Sequence, residues 1–209
     1  MKILYLGLRP KKGTIHYPVI HTKRCPLFEE VFIHYDLCTH MVFTSRTAVF
    51  YWEGPWSKPC IAISEETAKE LQRKGVKPLI APWATQEGVM HLLSQIKGFF
   101  FLPQSQRARK DLQMFLREKK IPHYAFALYE THFQQLEPVP NLEEFDEIVF
   151  TSPSTVEGFL RIFKTFPKGK RFQAIGPITQ RALEQKGALS YIPSEKEQFY
   201  GRANKLSTS

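Results

Sequence analysis

Small hydroxyl and glycine residues follow short apolar runs at four places in the sequence, and each set precedes a segment with a helical pattern. Val-Phe-Thr-Ser occurs at 42–45 and again at 149–152, and Ala-Ile occurs at 62–63 and again at 174–175. A strand that leads into a helix presents free backbone N–H groups and the positive end of the helix dipole, which together favour an anion. The pattern therefore predicts anion binding, although any one of these starts, taken alone, is more simply explained as a well-made helix cap.

The two pairs of motifs occur in the same order and at nearly the same separation. Thr44 and Thr151 are 107 residues apart, and Ala62 and Ala174 are 112 residues apart. Two matched motifs in matched order indicate an internal duplication of one α/β unit. We therefore expect two domains with a shared anion-binding cleft.

The duplicated helix starts supply the candidate ligand-binding residues. Ser152 and Gly176 are each followed by proline, which suits an N-cap and a first helical position. Thr67 and Thr179 occupy equivalent places in the two copies, where a hydroxyl and a backbone amide could both meet a carboxylate. The alternative interpretation for both threonines is that the hydroxyl only forms a local hydrogen bond at the helix start. The other hydroxyl side chains placed for contact with a carboxylate are Thr44, Ser45, Thr151 and Ser154.

The net charge of +9 and the pI of about 9.5 favour a polyanionic partner. Such a charge raises the local concentration of polyanions and speeds their capture. Nucleic acid, an acidic lipid surface and a small molecule with many carboxylates or phosphates are the candidate partners. Several basic residues fall in short clusters, and ordinary solvated surface charge explains most of them.

Cysteine and histidine usage gives no sign of a metal site. The three cysteines, Cys25, Cys38 and Cys60, form no CxxC pattern, so neither a zinc knuckle nor a disulfide framework is predicted. The seven histidines show no metal-ligand spacing. We also find no signal-peptide core and no apolar run long enough to span a bilayer. We therefore expect a soluble cytoplasmic protein with reduced thiols.

Alternation of strands and helices predicts a parallel α/β fold. The predicted helices follow apolar residues at helical spacing, and the predicted strands are short apolar runs. The predicted strands are 2–8, 41–44, 60–63, 78–81, 99–102, 124–129, 147–150, 171–175 and 189–192. The predicted helices include 86–97, 106–119, a helix from about 153, and 177–186, followed by a helical or frayed tail.

The first strand has no partner nearby in the sequence, and the second copy is one strand short. We expect the strand at 2–8 to supply the missing strand of the second copy, since a single strand cannot form a domain. This topology needs two connecting segments side by side, and the stretches 17–34 and 124–138 are the candidates. The predicted organisation is one discontinuous domain from 1–16 and 139–209, an inserted domain at 36–125, and linker strands at 17–35 and 126–138.

These motifs resemble those of the uroporphyrinogen-III synthase family, and the resemblance runs over most of the chain. Its strongest carriers are Val-Phe-Thr-Ser-Pro-Ser-Thr-Val at 149–156 and Ala-Ile-Gly-Pro-Ile-Thr-Gln-Arg-Ala-Leu at 174–183. Leu-Tyr-Glu-Thr at 128–131 looks like the family's Tyr-x-Thr. The resemblance implies two duplicated parallel-sheet α/β domains joined by a two-stranded linker, with the N-terminal strand completing the C-terminal domain.

The resemblance also implies a reaction. The family's substrate is hydroxymethylbilane, a linear tetrapyrrole with many carboxylates, which loses a hydroxyl and closes into uroporphyrinogen III with the last pyrrole inverted, through a spiro intermediate. No metal or organic cofactor is implied, and a monomer is expected. Holding the ends of the substrate together would lower the entropic part of the barrier.

The resemblance assigns roles to three further residues. Tyr129 is the predicted catalytic residue, because a phenol with a pKa near 10 stays protonated at neutral pH and can donate to the departing hydroxyl. The alternative interpretation is that Tyr129 is a structural tyrosine of the linker that packs on a neighbour such as Phe126. Arg109 matches a basic family position and could pair with a propionate, although a solvated surface arginine explains it nearly as well. Arg9, after the first strand, is a further predicted substrate contact.

Two other classes of function stay open at this point. A nucleic-acid or polyanion-binding protein fits the charge, although no recognisable module appears and the basic clusters form no continuous stripe. A cytosolic anion sensor that closes on its ligand without turnover fits the two-domain pattern. The enzyme is the favoured interpretation, with no nucleic-acid and no membrane partner.

Overall fold

The computed structural model describes residues 1–193, and the chain within it divides into two compact units. We call Thr22–Thr131 the inserted unit, and Met1–His21 together with the chain from His132 onward the terminal unit. The tail predicted after residue 193 lies outside the described residues.

The inserted unit contains a six-stranded sheet in the order β3-β8-β7-β4-β5-β6. The pairs β4/β5, β4/β7, β5/β6 and β7/β8 are parallel. Its strands are β3 (Ile20–Arg24), β4 (His40–Phe43), β5 (Cys60–Ala62), β6 (Leu79–Ile80), β7 (Phe100–Ser105) and β8 (His123–Phe133). Its helices are α1 (Glu29–Leu37), α2 (Arg46–Tyr51), α3 (Glu65–Gln72), α4 (Gln86–Gln95) and α5 (Asp111–Glu118). Strands β3 and β8 carry the chain from one unit to the other and lie side by side.

Both faces of the inserted sheet are buried, as its parallel strands require. Successive residues of β4 point to opposite faces, so Met41 and Phe43 enter one hydrophobic cluster while Val42 enters another. In β7, Phe101 lies in the first cluster and Phe100 in the second. The central strands therefore read as continuous apolar runs, and the helices cover both sides.

The terminal unit contains a four-stranded sheet in the order β10-β9-β1-β2, and its paired strands are parallel. Its elements are β1 (Ile3–Tyr5), β2 (Ile15–His16), a 3₁₀ turn (Leu142–Glu144), β9 (Glu147–Phe150), α6 (Pro153–Phe163), β10 (Arg171–Ala174) and α7 (Pro177–Gln185). Ile3 pairs with Glu147 and Tyr5 with Val149, so the N-terminal strand lies inside a sheet completed from the far end of the chain. The predicted parallel α/β fold is confirmed.

One predicted connector is wrong in part. The stretch 17–34 is predicted to be extended, but helix α1 begins at Glu29 and occupies the last third of the stretch. The helix carries apolar residues on all sides: Val31 and Tyr35 are buried, whereas Phe32 and Ile33 are exposed. Because apolar residues do not recur on one face only, α1 lacks the amphipathic pattern on which a sequence-based prediction depends.

Three other element boundaries differ from the prediction. Strand β7 continues to Ser105, so the helix expected from residue 106 begins at Asp111. The strand expected at 2–8 is limited to Ile3–Tyr5. The strand expected at 189–192 is a single bridge between Gln173 and Tyr191. Among the described residues, no helix is both long enough and apolar enough to cross a membrane.

Candidate active site

Tyr129 lies near the carboxyl end of the inserted sheet, on the strand next to β7. It pairs with Ser105 across a register shift that falls between Gln104 and Ser105. Only 7% of Tyr129 is exposed, although its strand partner Ser105 is half-buried. The irregular pairing thus brings the last hydroxyl of β7 beside the phenol.

Three hydroxyl side chains surround the phenol of Tyr129. Ser45 Oγ lies 3.0 Å from the phenolic oxygen, and Ser105 and Thr47 also form hydrogen bonds with it. Burial raises the pKa of Tyr129 above its ordinary value of 10.0, and these three hydrogen bonds oppose the rise only in part. The phenol is therefore protonated at neutral pH, and each of the hydroxyls around it can accept or donate a hydrogen bond. This is the state that a proton donor needs.

Ser45 has a second role, as the N-cap of α2. Its Oγ accepts a hydrogen bond of 3.1 Å from the backbone N–H of Ala48. The same oxygen therefore starts the helix and contacts Tyr129, so helix α2 and the phenol are fixed to each other. Thr44, the preceding residue, is half-buried directly after β4.

Helix α3 begins at Ser64, whose Oγ accepts from the backbone N–H of Thr67 at 3.4 Å. The Thr67 hydroxyl lies 3.4 Å from the same oxygen, and Thr67 is 2% exposed. This geometry fits the local-bonding alternative for Thr67. Glu65 and Glu66 also place negative charge in the first turn, which weakens the attraction of this helix end for an added carboxylate.

In the terminal unit, Ser152 begins helix α6 with a capping box. Its Oγ accepts from the backbone N–H of Thr155, and Thr155 Oγ1 accepts from the backbone N–H groups of Thr151 and Ser152. The first turn contains no acidic residue. Thr151, Ser152 and Ser154 are half-buried, so all three lie near the surface at this helix start. The fully buried Thr155 holds the backbone that carries them.

Replacing Thr155 by valine should destabilise the terminal unit by about 2 kcal/mol, because two backbone N–H groups lose their acceptor and the Ser152 carbonyl loses its 2.7 Å donor. Amide hydrogen exchange in α6 and β9 measures the change. Thr155→Ser retains the hydroxyl and serves as the control, which should lose less protection than the valine variant. Equal protection in the two variants would show that the hydroxyl does not support this turn.

Helix α7 begins without a side-chain cap. Gly176, its N-cap residue, has extended backbone, and a Cβ added there would meet nothing within 4 Å. The first turn has no acidic residue, and Thr179 in that turn is 3% exposed. Open space and uncapped first-turn N–H groups make this the helix start best suited to receive a carboxylate from solution.

The two predicted arginines lie on exposed loops. Arg9 is in the segment 6–14 that joins the parallel strands β1 and β2. Arg109 precedes α5, and its guanidinium lies 3.3 Å from the carboxylate of Asp111. This surface ion pair fits the alternative of an ordinary exposed arginine.

Several residues at these places were not predicted from the sequence. Thr155 could have been found, because a hydroxyl residue three positions after an N-cap serine is a local signal. Ser105 and Thr47 carry no such signal, since their contact with Tyr129 depends on the pairing of distant strands. Within residues 1–193, no group of three or more histidine, cysteine or acidic side chains could hold a metal ion.

Together the observed elements define a class of α/β protein with two parallel sheets, in which helices α2, α3, α6 and α7 each begin just after a strand. The family model for uroporphyrinogen-III synthase HemD matches residues 13–199. The chain belongs to the uroporphyrinogen-III synthase family, a family of cyclising lyases in porphyrin and haem biosynthesis. The resemblance inferred from the two motifs is confirmed, and the match supports the enzyme over a nucleic-acid binder or an anion sensor.

Solved structures support the same fold. The uroporphyrinogen-III synthetase of Helicobacter pylori has a TM-score of 0.67 and 22% identity, over 97% of this chain and 98% of that one. A mutant uroporphyrinogen III synthase from the extremely thermophilic bacterium Thermus thermophilus has a TM-score of 0.64 and 20% identity, over 98% of each chain. No curated protein sequence matches the chain.

Proposed function

We propose that this enzyme converts hydroxymethylbilane to uroporphyrinogen III and that Tyr129 donates the proton to the departing hydroxyl. The observation that carries the proposal is the buried phenol of Tyr129, held in its protonated form among the hydroxyls of Ser45, Thr47 and Ser105. The carbon–oxygen bond of the terminal hydroxymethyl group breaks, and its electron pair leaves with the oxygen. The phenol proton converts that oxygen to water, and electron density from the pyrrole nitrogen stabilises the carbon left behind.

Ring closure with inversion then forms two carbon–carbon bonds and breaks one. The cationic methylene carbon bonds to the already substituted α-carbon of the last pyrrole to give the spiro intermediate, and the bond from that α-carbon to its original methylene bridge breaks. The freed methylene carbon bonds to the unsubstituted α-carbon of the same pyrrole, which releases one proton, so the net change is the loss of water. The proton lost at closure restores the phenol for the next turnover. No metal or organic cofactor enters the proposed reaction. The enzyme has to hold the flexible substrate in one curled arrangement, which makes positioning a large part of its contribution.

We further propose that carboxylates of the substrate bind at the starts of α6 and α7. Ser152 and Gly176 mark these starts, both first turns lack acidic residues, and the open space in front of Gly176 leaves room for a ligand. Thr44, Ser45, Thr151, Ser154 and Thr179 are proposed to assist, with Thr67, Arg9 and Arg109 in supporting contacts. The net charge of +9 favours capture of a polycarboxylate before it reaches any of them.

The proposed enzyme is a cytoplasmic monomer. Cys25, Cys38 and Cys60 are free thiols, as is usual for proteins of a reducing compartment. Light scattering during size-exclusion chromatography tests the monomer, with a mass near 24.3 kDa expected.

The test of function supplies freshly generated hydroxymethylbilane to the purified protein and separates the oxidised products by isomer. A protein-dependent excess of the type III isomer is expected. Formation of the type I isomer alone, as in the absence of protein, would contradict the proposed activity. Tight binding of the bilane without turnover would instead favour a sensor.

A further inference from the structure

An aromatic side chain outside the duplicated motifs lies directly beside Tyr129. Tyr51, the last residue of α2, has its ring centroid 5.8 Å from that of Tyr129, and the two ring planes differ by 26°. This is the offset-stacked arrangement that aromatic pairs prefer. One face of the Tyr129 ring is therefore covered by a second tyrosine.

The Tyr51 side chain is fixed both through its backbone and through its hydroxyl. Its backbone belongs to α2, while its hydroxyl donates to the backbone oxygen of Thr22 at 2.7 Å and lies 3.0 Å from Thr22 Oγ1. Thr22 belongs to β3, the neighbour of β8 in the sheet. Tyr51 thus links α2 to the strand beside the one that carries Tyr129.

Helix α2 consequently contacts Tyr129 in two different ways. Near its start, Ser45 and Thr47 form hydrogen bonds with the phenolic hydroxyl, and at its end Tyr51 covers the ring. Hydrogen bonds to the oxygen alone leave a tyrosine ring free to rotate about the bond that joins it to Cβ, because the oxygen lies on that axis. Contact on the ring face removes this freedom, so the direction of the O–H group is fixed by both contacts together.

We propose that Tyr51 is a positioning residue for Tyr129, whose stacked ring and tie to Thr22 hold the phenol in the direction required for proton donation. This inference rests on the proposed role of Tyr129 as proton donor. It concerns the reaction and not the binding of carboxylates, since Tyr51 touches the proton donor and lies in none of the helix starts proposed for substrate binding.

Two substitutions in the full chain separate the two contacts of Tyr51. Tyr51→Phe keeps the ring and removes the tie to Thr22, whereas Tyr51→Leu removes the ring as well. We expect Tyr51→Leu to lower kcat for the type III isomer by about tenfold, with KM changed less than about twofold, because a small displacement of a catalytic group has a large effect on rate. Tyr51→Phe should lie between this variant and the wild type.

Tyr35→Phe is the matched control. Tyr35 is a buried phenol of the same unit whose hydroxyl lies 2.9 Å from Ser57 Oγ, and it packs on Trp52 and Phe101. Tyr35 forms none of the hydrogen bonds or ring contacts described above that hold the phenol of Tyr129. The control variant should keep the kcat of the wild type while losing a comparable hydroxyl from the core.

The ionisation of Tyr129 provides a readout that a merely structural role would not move. Absorbance of tyrosinate is followed against pH in each variant and in the same variant with Tyr129→Phe, and the difference isolates Tyr129. Burial is the main cause of the raised pKa of Tyr129, with a smaller upward contribution from Tyr51. Tyr51→Leu should therefore shift this ionisation downward, towards the ordinary value of 10.0.

Folding of each variant is checked first by the tryptophan fluorescence of the inserted unit, and Tyr51→Phe keeps the test valid if the leucine variant does not fold. A kcat of the Tyr51 variants equal to that of Tyr35→Phe, with an unshifted Tyr129 ionisation, would overturn the positioning role alone. Full turnover by Tyr129→Phe would overturn both the proton-donor role and the positioning role that depends on it.

Discussion

Tyr129→Phe should lower kcat for formation of the type III isomer by about 100-fold, while KM should change by less than about twofold. The substitution removes one oxygen and leaves the ring, which is packed against Tyr51, in place. The leaving hydroxyl then has to depart without a proton donor, whereas the carboxylate contacts proposed at the starts of α6 and α7 are untouched. The prediction therefore separates a role in the reaction from a role in affinity.

The measurement is the initial rate of isomer III formation from freshly generated hydroxymethylbilane over a range of substrate concentrations. Tyr35→Phe again serves as the control for loss of a buried hydroxyl. Because burial raises the pKa of Tyr129 above 10.0, ionisation of this phenol should cause little loss of wild-type activity below about pH 9. A rise in KM as large as the fall in kcat, or unchanged turnover, would contradict the proton-donor role.

The second large effect concerns stability and arises from a buried carboxylate in the terminal unit. Glu147 at the start of β9 is 1% exposed, and its Oε2 lies 3.0 Å from an Arg171 guanidinium nitrogen and accepts at 2.9 Å from the Tyr191 hydroxyl. Arg171 also donates to that hydroxyl at 2.8 Å. Three side chains thus join β9, β10 and the segment after α7.

Arg171→Met should destabilise the terminal unit by roughly 3 kcal/mol, because it removes the positive partner of a buried carboxylate. This loss of stability is at the low end of the range for buried ion pairs, because Arg171 itself is largely exposed and water can enter the space that its side chain leaves. A double variant with Glu147→Met should recover part of the loss, because no charge is then left buried.

All three tryptophans lie in the inserted unit, so their fluorescence does not report this change directly. Amide hydrogen exchange in β9 and β10 measures the change in stability of the terminal unit. Lys2→Met is the control in the same unit, since Lys2 forms an exposed pair with Glu144 at 2.5 Å that should contribute less than about 1 kcal/mol. Unchanged exchange in Arg171→Met would show that the carboxylate is stabilised without the guanidinium.

The parts of the fold that were predicted correctly depend on local signals. Ser152 and Gly176, each followed by proline, determine where α6 and α7 begin, and the apolar runs of β4 and β9 are long enough to be recognised as buried strands. These signals act within a few residues and do not need the rest of the chain. The duplication of the motifs then indicated two sheets.

The parts that were not predicted depend on contacts between distant segments. Helix α1 has no amphipathic face, and β7 continues through Pro103 and Gln104, residue types that usually weaken a strand. Both residues are buried, so tertiary packing overrides the local preference. The stacking of Tyr51 on Tyr129 likewise joins residues from two strand–helix units, and no spacing in the sequence could indicate it.

The pairing of Ile3 with Glu147 has a consequence for synthesis on the ribosome. Strand β1 leaves the exit tunnel well before its neighbour β9, which is made 144 residues later and therefore about 7 to 30 s later at ordinary rates of translation. During that interval the entire inserted unit emerges, while β1 has an unpaired edge of the kind that promotes association with other chains. Strand β1 can therefore pair with β9 only after the whole inserted unit has been made, although β1 itself is made before that unit.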